Sequence, residues 1–91
     1  MNQAAFEAAL SADGYSDVVE RAMAPNTVNG EHAHEFDARV YVLDGEMTIV
    51  SEGRSHTYRS GEWCAIDAGT GHTEQTGPAG ARYLAGRRHR S

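Results

Sequence analysis

The spacing of apolar positions changes once along this chain. Over residues 2–12, NQAAFEAALSA, Phe6, Ala9 and Leu10 recur at helical intervals behind Asn2, a residue suited to capping. Asp13-Gly14 then supplies a stop. The pattern predicts a short helix whose weak apolar stripe packs on a sheet or on a partner chain. From Tyr15 onward the helical period is gone, and glycines fall at 45, 53, 61, 69 and 77, eight residues apart. The stretches between them do not resemble one another, so the rhythm is that of short strands and turns and not of a repeated unit. It predicts strands over 16–23, 27–34, 38–43, 47–51, 54–59, 63–67, 72–76 and 82–87. Asp44-Gly45 reads as a two-residue hairpin turn, and Pro25 and Pro78 fall between strands, where a missing N–H does no harm. The fold class is therefore all-β, an antiparallel sandwich or barrel behind a short N-terminal helix. Residues 1–14 form the helix and lead-in, and 15–91 one barrel domain.

Composition narrows the function. At 91 residues the chain is one domain that buries about two-thirds of its unfolded surface and gains from a partner. Its formal charge is −5, and all eight basic residues are arginines, four of them in the last ten positions. Four arginines against thirteen acids leave the first 81 residues at −9, which argues against a nucleic-acid surface. The arginine-rich end (Arg82, Arg87, Arg88, Arg90) reads as a solvated, frayed terminus that includes His89. A lone cysteine, Cys64, excludes an internal disulfide and fits a reducing compartment; in the apolar run WCAI it reads as a small core residue. The N-terminus lacks the features of a signal peptide, and no stretch approaches membrane-spanning length. A cytoplasmic protein with no membrane or nucleic-acid partner is expected.

Histidines carry the candidate chemistry. In a strand, His32 and His34 of EHAHEF share a face with Cα atoms roughly 6.5 Å apart, close enough to converge on one cation. Two exposed histidines on a strand would read the same way. His72 supplies a third imidazole, after the glycine-rich turn DAGTG.

The stretch GEWCAIDAGTGHTEQT resembles the second motif of the cupin family: Gly61, Asp67 where proline is usual, Gly69, His72, and Thr76 where asparagine is usual. The first cupin motif is matched by Asn26 at its leading glycine position, by His32 and His34, and by Gly45 at its end. Ala38 stands where that motif has its glutamate. The 15 residues between the motifs, 46–60, have the short length of compact bacterial members, and the likeness covers about residues 15–88.

The resemblance implies an antiparallel jelly-roll β-barrel, commonly a homodimer, with one divalent transition metal held by His32, His34 and His72. Imidazole ligands suit Fe, Ni, Zn or Cu without choosing between them. It also implies a small-molecule ligand. The activity is either that of a three-histidine dioxygenase-like enzyme or that of a metal-assisted isomerase or lyase. Because members lacking the glutamate include some without catalysis, a non-enzymatic binding module with a degenerate site stays open beside it.

Glu74 lies two residues after His72 and shares its face in a regular strand, so it is the candidate fourth ligand or general base opposite the methyl group of Ala38. An exposed strand acid is the bland alternative, and Gln75 and Glu35 are weaker substitutes. His56 and Tyr58 line either a pocket mouth or a solvated edge strand. Trp63, Tyr41, Phe36 and Tyr83 read as core or interface residues.

Overall fold

In the computed structural model, which describes residues 1–89, the Asn2 side chain accepts the Ala5 N–H at 2.8 Å and opens helix α1 (Gln3–Ala12). Gly14 leaves the helix at φ +78, a backbone that glycine adopts without penalty. Six strands follow: β1 (Ser16–Met23), β2 (Val28–His32), β3 (Phe36–Ser51), β4 (Arg54–Arg59), β5 (Trp63–Ile66) and β6 (His72–His89). All pairings are antiparallel, in the order β1-β6-β3-β4, with β2 added to β6 and β5 to β3. The sheet curls over one interior as an open jelly roll. No helix among the described residues is long and apolar enough to cross a membrane.

The two faces of the sheet hold two cores. Inside lie Val40, Met47, Ile49, Cys64, Ile66 and Ala81. On the outer face Phe6 and Leu10 of α1, each 1% exposed, pack with Tyr15, Tyr41 and Leu84. Burying each of these two side chains is worth roughly 1.5–3 kcal/mol. Gly86 permits the approach, since a Cβ there would sit 2.9 Å from Leu10 Cδ1.

Two long strands replace four of the expected short ones. Asp44-Gly45 is no hairpin: the chain runs straight through it, fusing the expected strands 38–43 and 47–51 into β3. The two residues form a bulge where pairing with β6 shifts on either side, and the Asp44 carboxylate takes the Gly45 N–H at 3.0 Å. The expected strands 72–76 and 82–87 likewise fuse into β6. Pairing passes from Gly45–Ala81 to Met47–Thr76, so residues 77–80 stand out opposite Glu46 alone. Pro78 sits in that excursion, within the bounds of β6 and free of any ladder demand. The tight hairpin is instead Glu52-Gly53, with φ +53 and +74, joining β3 to β4.

The arginine-rich end is not frayed over its described part. Arg88 Nε and Nη2 both donate to Asp37 Oδ2, at 3.1 and 3.0 Å, and Arg88 Nη1 donates to the Asp13 carbonyl. Asp37 is 1% exposed, and its other oxygen accepts the Ala68 N–H. Arg82 pairs with Glu20, and His89 ends β6 with its ring 5.6 Å from that of Phe36. Arg90 lies outside the described residues.

Candidate metal centre

The second-motif loop positions the site. Asp67 and Thr70 close a turn through Gly69 at φ +81, with Thr70 N–H donating to the Asp67 carbonyl. The Gly69 N–H donates to the His34 carbonyl at 2.9 Å, so one hydrogen bond joins the two histidine-bearing segments. Asn26, in the left-handed region at φ +55, turns the chain into β2. Thr76 takes up the polar role at its position: its Oγ1 accepts the Thr27 N–H and donates to the Ala24 carbonyl.

His32 ends β2, His34 follows it, and His72 opens β6 directly opposite His32. Their ring centroids are 4.9 Å (His32–His34), 4.3 Å (His32–His72) and 5.3 Å (His34–His72) apart. One ring nitrogen from each lies within 4.8 Å of the other two. Donors on one ion at roughly 2.0–2.1 Å are at most about 4.2 Å apart, so small ring rotations complete the convergence.

The tautomers are set by backbone. A carbonyl accepts a proton and cannot donate one, so His32 Nδ1–H donates to Gly30 O (2.7 Å) and His72 Nδ1–H to Thr70 O (3.0 Å). In the neutral ring each Nε2 then carries the lone pair, on the side of the ring that faces Glu74, the arrangement that second-shell bonds give to metal-binding imidazoles. His72 is 1% exposed, and its Nε2 has no hydrogen-bond partner among the described residues. Leaving such a group buried and unsatisfied costs roughly 1–3 kcal/mol. A cation removes that cost, and the donor set fits a divalent transition metal.

Glu74 arrives at the same place. Residues 72–76 pair with 47–51 without a shift, so Glu74 and His72 share the inner face. Its oxygens lie 3.6 Å from His72 Nε2 and 3.9 Å from His32 Nε2, and Asn29 Nδ2 donates to Oε1 at 3.3 Å. Gln75 and Glu35 are exposed. Asp37 and Arg39, flanking Ala38, face outward to Arg88 and Asp13. The four sequence-predicted residues are thus brought together, with Asn29 as an addition that the sequence did not single out.

Two cavities adjoin the inner face. One of about 200 Å³ is bordered by His34, Glu74 and Ala38. The larger, about 440 Å³, runs along β4 and β5 past His56 and Tyr58, and none of the three clustered histidines lines it. Cys64 sits in that wall with its thiol pushed up to about 12, by burial first and by the Glu74 charge second. It is a core residue and not a nucleophile at neutral pH.

Burial, then the neighbouring His32 and His72, hold the His34 pKa below its ordinary 6.5. Unfolded His34 takes a proton near 6.5 while the folded one resists it, so metal-free protein should lose stability as pH falls below about 6.5. Melting temperatures of chelated protein between pH 7.5 and 5.5 should decline, and His34→Ala should flatten part of that slope. A slope unchanged in the variant would assign it to other groups.

A sequence profile for the cupin domain matches residues 19–85. No match was found among curated protein sequences. Solved structures match the fold. A structural-genomics protein from Rhizobium leguminosarum is 19% identical with a TM-score of 0.76, over 80% of this chain and 69% of that one. An RmlC-like cupin from Shewanella frigidimarina is 18% identical with a TM-score of 0.69, over 77% and 62%. The KdgF protein from a Halomonas species is 21% identical with a TM-score of 0.67, over 81% and 69%.

Proposed function

This chain belongs to the cupin family, and we propose that it binds one divalent transition metal through His32, His34 and His72 and acts on a small molecule beside it. The observation that carries this reading is the convergence of three imidazoles, among them the buried His72, whose Nε2 has no hydrogen-bond partner among the described residues. Fe, Ni, Zn and Cu all suit such ligands. When bound, the ion would supply Lewis-acid polarisation, with coordination positions left open for a ligand. A dioxygenase-like or an isomerase or lyase activity is compatible with that arrangement.

Within the site, Glu74 is assigned as the group that holds or moves a proton, or that adds a fourth donor. Asn29 fixes one of its oxygens, leaving the other toward His72. Glu74→Gln separates the two roles. A general base lost in this way should leave metal content intact and lower turnover about 10²–10⁴-fold in a screen of small organic acids. A lost ligand should lower metal content itself. No change in either would remove Glu74 from the chemistry.

Ala38 favours a second reading, a binding module without turnover, because the motif carboxylate is absent there. Metal retention with no substrate consumed in the same screen would select it.

The homodimer is part of the proposal. Strand β1 is exposed along both faces from Ser16 to Ala22, with Val18 40% and Val19 39% exposed, and Val28 of β2 is 69% exposed. Such an edge is stabilised by a second copy. Light scattering should give about twice the 9.8 kDa chain mass, and Val18→Lys should shift it toward one chain. A strict monomer at micromolar concentration would contradict this part alone.

A further inference from the structure

We infer that the cavity bordered by His34 and Glu74 takes the carboxylate end of a small organic acid, gripped by Arg21 and Arg87. This rests on the reading that the centre acts on a small molecule, and it names the class of that molecule. The cavity of about 200 Å³ reaches from His34 and Glu74 to Arg21 on β1 and to Arg87 and Tyr83 on β6.

Pairing sets these two guanidiniums apart from most others in the chain. Arg39, Arg59, Arg82 and Arg88 each have a carboxylate within 4.0 Å, at Asp13, Glu46, Glu20 and Asp37. Among the described residues, neither Arg21 nor Arg87 has one. Arg87 is nonetheless held in place. Its guanidinium carbon lies 4.5 Å from the Phe36 ring centroid, and Phe36 in turn stacks on His34 at 4.7 Å and 16°. A planar cation fixed on an aromatic face is preorganised for two parallel hydrogen bonds to a carboxylate.

The alanine in the motif fits the same account. Ala38 is the direct cross-strand partner of Arg87. A glutamate there would neutralise that guanidinium and fill the cavity, whereas a methyl group leaves both to a ligand. Arg21 sits opposite Tyr83 in the neighbouring pair, so the two cations come from adjacent strands.

Charge and volume define the guest. Two guanidiniums outweigh the one carboxylate of Glu74 in a chain whose net charge is −5, so this basic lining is local. Glu74 on the same wall would repel a dianionic phosphate more than a monoanion, which favours a carboxylate. The volume of about 200 Å³ exceeds that of the roughly 150 Å³ cavity that holds benzene, so about eight non-hydrogen atoms fit.

The test uses zinc-loaded protein, its zinc content measured in every sample, titrated calorimetrically with glycolate, malonate and benzoate and with their amides. At least one acid should bind about tenfold or more tightly than its amide, a margin lost in Arg87→Gln and in the exposed Arg21→Gln while zinc content stays unchanged. Acids that bind no better than amides would overturn the inference. So would arginine variants that bind like the wild type, or inorganic phosphate that outcompetes every acid. If the wild-type chain takes up no zinc, the metal reading fails by itself. The same titrations on the chelated protein then decide the inference, arginine-dependent preference for the acid supporting it and its absence overturning it.

Discussion

Replacing His72 by alanine is expected to weaken metal binding at least about 100-fold, a loss exceeding the usual penalty for a second-shell partner. Its Nε2 is the most deeply enclosed of the donors, aimed at the cluster by the Thr70 carbonyl and with no partner among the described residues. Metal-free protein should respond differently. Truncation removes a buried ring and its packing, but it also removes an unsatisfied nitrogen worth roughly 1–3 kcal/mol, so the two effects offset in part. The contrast is sharpest in a thermal melt. Metal at about 100 times its dissociation constant stabilises the wild type by roughly 2.7 kcal/mol, about 10–20 °C for a domain of this size. In His72→Ala, at the same metal concentration, that increment should fall to about 0.4 kcal/mol or less, while His56→Ala, along the other cavity, should keep it. An undiminished increment in His72→Ala would place the metal elsewhere.

The second large effect lies away from the centre. A Cβ added at Gly45 would come 2.1 Å from the Gly80 carbonyl oxygen and 2.9 Å from its carbon, on a backbone held at φ +75. Both obstacles are backbone, so no side-chain rotation relieves them. Gly45→Ala should destabilise the fold by about 3 kcal/mol or more, combining left-handed strain with overpacking, and lower the melting temperature by at least about 12 °C. Gly53→Ala is the control. Its φ of +74 is nearly the same, but nothing lies within 4 Å of the added carbon, so about 1 kcal/mol is expected. Similar melting points for the two variants would show that the contact between residues 45 and 80 carries no weight.

That pair of glycines also explains what the sequence conceals. Asp-Gly with positive φ serves a hairpin and a mid-strand bulge equally well. The choice is made by a partner strand some 35 residues away, where Gly45 pairs with Ala81. Local pattern therefore located strand material correctly but cut β3 and β6 each in two. The same distance hides the role of Arg88: a basic residue near a terminus looks solvated until Asp37, 51 positions earlier, is set against it. Arg87 and Ala38 meet only through the β3–β6 register, so no local signal pairs them.

The histidine constellation was legible because its determinants are local. HxH sets two imidazoles two positions apart in the chain, and the tight turn through Gly69 delivers the third. Strand parity carried Glu74 to the inner face because residues 72–76 hold their register against β3. His34 reached the cluster by another route, since β2 ends at His32 and the Gly69 N–H holds the His34 carbonyl instead.

The most direct test of the three-histidine centre is elemental analysis of protein purified without chelator or added metal, run in parallel on five single histidine-to-alanine variants. About one transition-metal ion is expected per wild-type chain and per chain of His56→Ala and His89→Ala, with less than about a tenth as much in His32→Ala, His34→Ala and His72→Ala. Equal metal in all five variants, or none in the wild type even after divalent metal is supplied, would contradict the three-histidine centre.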